Sequence, residues 1–426
     1  MRRRVAACLV LWGCGAAAEG DRVTLELANS ADYLAARLEQ RVLAPYLAVN
    51  PGVRIVQQNA AVYQAQYRER LLTSMAAGAP PDVFLLDNSD VPALVNRGVV
   101  LDLAPYLTRA GVDVGCLDQR VLAVFSRGNG VYALPRGYTP IVVVYNKDLF
   151  DRARIPYPTD DWTWDDFLRI AKQLTRDTDG DGTIDQWGTY VDRRPFLWIP
   201  WVWAGGGDVL CSDGRRASGC LDAPATIEAI RWYTAWMTTQ GIAPRTHNQL
   251  PSVGDDFRLF NSGRVAMMTT GHFWVPRLRP YVATGRLRVG FVVIPHRAGA
   301  RPVTVIYASG YAVPAMATRR KLSIELAAYL TDSLADAARG EAGLELPAMT
   351  TATQALVAGD TLGWEAAFVR AAAAGRVAWG ARIERWREVE AVLPDLLDRI
   401  ALAGADAAAA AHASARALDR VLGATR

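Results

Sequence analysis

The sequence predicts an α/β protein of two units, with one buried strand passing between them. Three observations carry this. Residues 23–98 alternate strand and helix patterns. Residues 141–144, Ile-Val-Val-Val, are an unbroken β-branched run, which suits a strand buried on both faces. Beyond that run a second alternation of helix and strand begins, with different chemistry. The length of 426 residues suits two or three domains better than one.

The chain opens on a targeting segment, residues 1–20. Arg2, Arg3 and Arg4 form a positive head, and residues 5–12 are an apolar stretch too short to span a bilayer. Leu11-Trp12-Gly13-Cys14 resembles a lipoprotein signal, which would anchor the chain by lipid at Cys14; the alternative is simple cleavage near residues 16–18. Either way the mature protein is expected outside the cytoplasmic membrane, periplasmic or at the cell surface. Cleavage before Cys14 removes three Arg and no acid, which takes the net charge from +4 to +1. With no basic tail or long block of like charge, nucleic acid is not an expected partner.

Val23-Thr-Leu-Glu-Leu alternates and reads as a strand ending at Ala28-Asn29-Ser30. Leu34, Leu38, Val42 and Tyr46 form a helix stripe stopped by Pro51-Gly52. Val53 and Ile55 start the next strand. Tyr67, Leu71 and Met75 mark a helix stopped at Gly78 and Pro80-Pro81. Residues 82–87 are an apolar strand ending in Asp87. This order predicts a mainly parallel sheet covered by helices. Ligands of such sheets meet the carboxyl ends of the strands, where Asn29, Ser30 and Asp87 sit. Asp87 suits a helix N-cap equally well.

Pro135, Gly137 and Pro140 read as a turn-rich lead-in to the strand over residues 141–145. If that strand joins two lobes, Tyr138 and Thr139 lie where the lobes face each other; an ordinary core strand is the competing reading. Next, Thr163 is an N-cap candidate with Asp166 at the capping-box position, and Phe167, Ile170, Ala171 and Leu174 form the buried face. Asp177, Asp179, Asp181 and Asp185 fall at positions one, three, five and nine of a calcium loop, with Thr183 at seven, Gly182 at six and Ile184 at eight. Position twelve is Gly188 rather than Glu. A structural calcium and a plain solvated turn both fit.

Trp198, Trp201 and Trp203 precede a triple Gly. If helical, Trp198 and Trp201 share a side; if extended, Trp201 and Trp203 do. The 13 Trp exceed what a core requires, so some are expected at a surface. Cys211 and Cys220 flank a loop with two Gly and are expected to form a disulfide in an oxidising compartment. Cys8 lies in the targeting segment, and Cys116 is left as a buried thiol. Residues 265–268, 289–295 and 307–314 read as strands. Residues 352–424 read as Ala-rich helix, with Trp379, Arg382 and Trp386 interspersed.

Six segments, Met75-Ala-Ala-Gly-Ala-Pro-Pro-Asp-Val-Phe, Tyr145-Asn-Lys-Asp-Leu-Phe, Trp162-Thr-Trp-Asp-Asp-Phe, residues 177–188, Phe260-Asn-Ser-Gly-Arg-Val-Ala-Met-Met and Ser309-Gly-Tyr-Ala-Val-Pro, occur in the order of one family. Together they resemble the extracellular solute-binding proteins of family 1, the maltose-binding type that serves carbohydrate ABC importers. The resemblance implies an α/β, two-lobed periplasmic-binding-protein fold of type II, hinged by crossing segments and closing over ligand. It implies residues 21–139 and 271–335 in one lobe and 140–270 and 336–426 in the other.

The resemblance also implies a site. Asp87 matches an acid that accepts sugar hydroxyls, and Tyr138 a cleft residue ahead of the crossing strand. Phe273 or Trp274 matches a cleft aromatic. Tyr307, Ser309 and Gly310 match a return segment that lines the cleft, and Trp379 and Arg382 match C-terminal cleft residues. Asn29, Trp201 and Trp203 complete the candidate set. The expected ligand is a sugar or oligosaccharide, bound by aromatic rings over its C–H face and by carboxylates or Arg at its hydroxyl rim, with no cofactor beyond calcium. The expected partners are ABC permease subunits, the expected state a monomer, and no turnover is expected. A glycerol phosphodiester is the alternative ligand, for which Arg136, Arg193 and Arg194 are available; a polyamine would want more acids than are visible. A secreted glycosidase would need a second carboxylate opposite Asp87.

Overall fold

The computed structural model describes residues 22–30, 33–59, 64–245 and 255–423. The targeting segment, with Cys8 and Cys14, lies outside the described residues. Strand β1 (Val23–Asn29) sits between β2 (Val53–Asn59) and β3 (Val83–Asp87), parallel to both. Leu25 and Leu27 are fully buried. Helices α1 (Tyr33–Val49) and α2 (Gln64–Ala76) bury Leu38, Val42, Tyr46, Tyr67 and Leu71. Past β3, Asp87 caps a single turn, Asn88–Asp90, by accepting from the Ser89 amide, and α3 (Val91–Asn96) follows. Helix α4 (Gln119–Val124) and the short hairpin of β4 (Ser126–Arg127) and β5 (Gly130–Val131) lead to β6 (Leu134–Pro140).

That last element corrects the turn-rich reading of residues 135–140. β6 is a strand, tolerated despite its two Pro because Pro140 ends it and Pro135 lies beside a register shift. One residue later, β7 (Val142–Asn146) enters a different sheet. As the β-branched run predicts, β7 is buried on both faces. Val142 and Val144 join one core and Val143 and Tyr145 the other.

The second unit comprises α5 (Lys147–Ala153), α6 (Trp164–Leu174), α7 (Pro195–Ala204), α8 (Pro224–Thr238) and α9 (Asp255–Asn261) around a small sheet. Thr163 and Asp166 form the expected capping box at α6. The small sheet is antiparallel, in the order β8 (Met267–Thr270), β7, β9 (Val289–Val292), with α10 (Val275–Ala283) between β8 and β9. Its interior is aromatic. Trp164 stacks on Trp232 at 4.1 Å, and Phe167, Trp201 and Trp236 close around them. No described Trp is exposed, so the expectation of surface Trp does not hold there.

The chain returns on β10 (Thr304–Ala312), antiparallel to both β3 and β6. The larger sheet runs β11 (Leu346–Pro347), β6, β10, β3, β1, β2, with β12 (Gly375–Val377) beside β10, so it is mixed rather than mainly parallel. Helices α11 (Arg320–Tyr329) and α12 (Ser333–Ala342), strand β11 (Leu346–Pro347) and α13 (Thr350–Ala358) follow. Helix α14 (Trp364–Ala373) and β12 (Gly375–Val377) lead out to α15 (Trp386–Ala401) and α16 (Ala407–Leu422), which pack on α8.

Strand pairing divides the chain between the two sheets. β9 (Val289–Val292) pairs with β7 in the smaller one, and β10 brings the chain back to the larger one from Thr304. Residues 336–358 stay with the larger sheet. There β11 pairs with β6, and Arg339 of α12 grips Glu39 of α1 through two nitrogens, at 2.8 and 3.0 Å, in the interior. The two crossing strands are tied together: Thr304 Oγ1 donates to the Ile141 carbonyl at 2.5 Å. Among the described residues, no helix is long and apolar enough to cross a membrane.

Candidate ligand-binding site

A cavity of about 480 Å³ opens where the carboxyl end of β3 and the turn after it meet β6, β10, α7, α15 and the turn His272–Trp274. One wall is aromatic. Phe196, at the start of α7, stands edge-on to Tyr307 at 5.8 Å and to Phe273 at 6.4 Å. Phe273 is 39% exposed, among the few large apolar side chains left open.

One end of the cavity is ionic. Arg387, in the first turn of α15, donates to Asp87 at 3.1 Å, to Asp90 at 3.0 Å and to Glu390 at 3.2 Å. Arg68 takes the other side of Asp90 at 2.7 Å. Burial pushes the Asp87 carboxyl above its ordinary range; Arg387 opposes this and Asp90 adds to it. Burial also raises Glu390, again against Arg387. Burial works against the charge on Arg387, but Asp87 and Asp90 outweigh it and hold the guanidinium above its usual range. Tyr307 lines the same cavity as Asp87 and Glu390, and its hydroxyl is raised by burial and by their charges. On the β6 side, Arg136 donates to Glu345 at 2.5 Å, and the Ser309 hydroxyl reaches both Glu345 oxygens at 3.0 Å.

Of the candidate residues, Asp87, Phe273, Tyr307 and Ser309 line this cavity; Ser30, Arg136 and Thr139 line it too. The others do not. Asn29 is fully buried, one residue short of Ser30. Tyr138 points to the opposite face of β6 from Thr139, as strand alternation requires, and is buried. Trp201 is 1% exposed and donates to Thr269. Trp274 packs between Phe257 and Phe260, which leaves Phe273 as the open ring of the pair. Gly310 sits under the Leu134 carbonyl and Phe125, too close for a side chain.

Trp203, Trp379 and Arg382 belong to a different structure. Both indoles donate to Asp208 at 2.7 Å, and Arg376 of β12 pairs with the same carboxylate at 2.9 Å while covering the Trp203 ring. Arg382 lies over Trp379 and donates to the Ser212 carbonyl. The sequence reading did not single out Phe196, Arg68, Asp90, Glu345, Arg387 or Glu390. Glu390 lies four residues past Trp386 on the same helix face, and Arg387 lies one turn before Glu390, so a helix-face reading would have reached the pair in two steps; nothing local marks Glu345.

In the acidic loop, carboxylate oxygens of Asp177, Asp179 and Asp181 lie within 4.8 Å of one another. Asp177 accepts the Gly180 and Gly182 amides at 2.7 Å, and these bonds hold its carboxyl below the usual range. Asp181 accepts the Thr183 amide. Asp185 turns back to accept from Thr178 and so stands apart from the three. Cys211 and Cys220 are joined in the expected disulfide. Cys116 is a free thiol, only half-buried rather than buried as expected, since it lies on a surface turn where it donates to the Asp113 carbonyl.

Residues 28–334 match the bacterial extracellular solute-binding protein family, and the chain belongs to it. Over 175 residues it is 31% identical to an uncharacterized lipoprotein in the oleD 5′ region of Streptomyces antibioticus, a match covering 39% of this chain and 37% of that one. The matched stretches span 37% to 52% of the curated relatives' lengths. The fold is that of the ABC substrate-binding protein Lmo0181 from Listeria monocytogenes, solved with cycloalternan: TM-score 0.82, 21% identity, 95% of this chain and 100% of that one covered. UgpB from Mycobacterium tuberculosis, solved with glycerophosphocholine, is similar at TM-score 0.81 and 19% identity, with 94% and 98% covered. These likenesses establish a two-lobed solute-binding fold.

Proposed function

We propose that the protein is the receptor of a carbohydrate ABC importer. It takes a sugar or short oligosaccharide into the cavity between its lobes and hands it unchanged to the membrane permease. The observation that carries this reading is one cavity holding both an aromatic wall (Phe196, Phe273 and Tyr307) and a rim of carboxylates and guanidiniums. A pyranose has an apolar C–H face and a ring of hydroxyls. Aromatic rings cover the first, and charge-assisted hydrogen bonds take the second.

The charges also weigh against an anionic solute. The three Arg lining the cavity, Arg68, Arg136 and Arg387, all bind carboxylates, and four acids stand against them: Asp87, Asp90, Glu345 and Glu390. A phosphodiester would therefore enter against a net negative lining. A glycosidase needs two carboxylates flanking a gap for the scissile bond; here Asp87, Asp90 and Glu390 converge on Arg387, and Glu345 is held by Arg136 and Ser309. The receptor works as a monomer outside the cytoplasmic membrane, free or held by lipid at Cys14. A thermal-shift screen of mono- and oligosaccharides against glycerophosphocholine and polyamines tests the ligand class. Stabilisation by a sugar supports the reading; stabilisation by only one of the other classes overturns it.

We also propose a structural calcium in the loop over residues 177–185. The convergence of three carboxylates supports it, since they repel one another without a cation.

A further inference from the structure

The pairing of β6 with β10 shifts register in the cavity wall. Ser309 faces Gly137, yet Gly310 faces Pro135. Arg136 is therefore the extra residue of a β-bulge, a distortion that re-aims a side chain. Its side chain lines the cavity and is only 8% exposed. Only Nη2 of the guanidinium has a hydrogen-bond partner among the described residues, and Nε has none.

The partner is Glu345, which no strand or helix carries. It reaches Arg136 because Gly137 is bare. A Cβ at Gly137 would lie 2.7 Å from Glu345 Oε2 and 2.8 Å from the Leu346 carbonyl. Ser309 then fixes the carboxylate by donating to both oxygens. A buried cation with spare N–H groups thus stands beside a carboxylate with an open lone pair.

We propose that Arg136 and Glu345 form a subsite for a vicinal diol, and that Glu345 is the residue that sets the cavity for neutral polyols against anions. The guanidinium donates to one hydroxyl oxygen, and the carboxylate accepts from the neighbouring hydroxyl. Adjacent equatorial hydroxyls of a sugar offer both roles at one edge. Without Glu345, Arg136 is an unpaired buried guanidinium, whose donor fork suits a phosphate. The inference rests on the carbohydrate reading and narrows it to ligands that present a free diol.

The test is E345Q, which keeps the side-chain shape and removes the charge. Calorimetry on the full mature protein uses maltose, cellobiose and N,N′-diacetylchitobiose as neutral probes, and glycerol 3-phosphate and inorganic phosphate as anionic ones. The tightest wild-type disaccharide should bind E345Q about tenfold to a hundredfold more weakly, the scale of a hydrogen bond to a charged group. Glycerol 3-phosphate should bind E345Q at least about tenfold more tightly than it binds the wild type. Unchanged sugar affinity, or a sugar loss with no gain for either anion, overturns the subsite while the carbohydrate reading stands. A wild type that ignores all three disaccharides and takes glycerol 3-phosphate as tightly as E345Q overturns both. If E345Q melts early, S309A tests the same subsite with the ion pair kept. It should weaken the sugar without admitting phosphate, and unchanged sugar affinity in S309A overturns the proposal.

Discussion

Arg387 and Asp87 lie 300 positions apart in the chain and 3.1 Å apart in space. Asp87 ends a strand of the larger sheet, and Arg387 lies in the first turn of α15, which packs on α7 and α8. The ion pair therefore joins the two sides at the ionic end of the cavity.

Replacing Arg387 with Gln should leave Asp87, Asp90 and Glu390 facing one another without their shared cation. Sugar affinity should fall by roughly 2 kcal/mol or more, since a charged hydrogen-bonding group is removed from a desolvated site. Calorimetry on R387Q checks this, and wild-type affinity would show that the pair does not shape the site.

Phe273 and Trp274 should separate cleanly. F273A removes an open ring of the cavity wall and should weaken sugar binding by roughly 1–2 kcal/mol with little change in melting temperature. W274A removes a core side chain and should lower stability by about 3–5 kcal/mol. Comparing denaturant midpoints with binding constants for both variants decides the assignment.

Asp336 makes stability depend on pH. Burial pushes its carboxyl up to about 7 from an ordinary 3.8, against the Met349 amide it accepts. Between those values the folded chain holds a proton that the unfolded chain has released. Its contribution is therefore full below about 3.8 and is lost as the pH rises through about 7. D336N should flatten this fall by at most about 1.4 kcal/mol per pH unit. Melting curves from pH 4 to 8 measure it, and an unchanged slope would assign the effect to another group.

Chelation tests the acidic loop. Adding calcium to chelator-treated protein should raise the melting temperature, and D179N should remove that response. Identical melting with and without calcium would mean that the loop is a plain turn.

The elements with strong local signals were legible in the sequence. The alternation of Val23–Asn29, the β-branched run before Tyr145 and the Thr163 capping box each form as their residues dictate. The site was only half legible, because Asp87 and Tyr307 sit where strand ends and the crossing strand put them. Which aromatic faces the cavity was not, since Phe273 and Trp274 differ only in what packs around them. Arg136 reads in the sequence only as a spare cation, because its bulge forms against β10 and its partner Glu345 lies in a distant loop, both far from it in the chain. Sheet membership is hidden for the same reason: alternation marks a strand without saying which sheet it joins.

Asp208 bears on how the molecule moves. By holding Trp203, Trp379 and Arg376 together, it welds the last passage of the chain to the helical half. The other two passages, at Ile141 and Thr304, are tied to each other by the Thr304 hydroxyl. We expect any opening of the cavity to bend the backbone at these two neighbouring strands rather than at the passage that Asp208 holds.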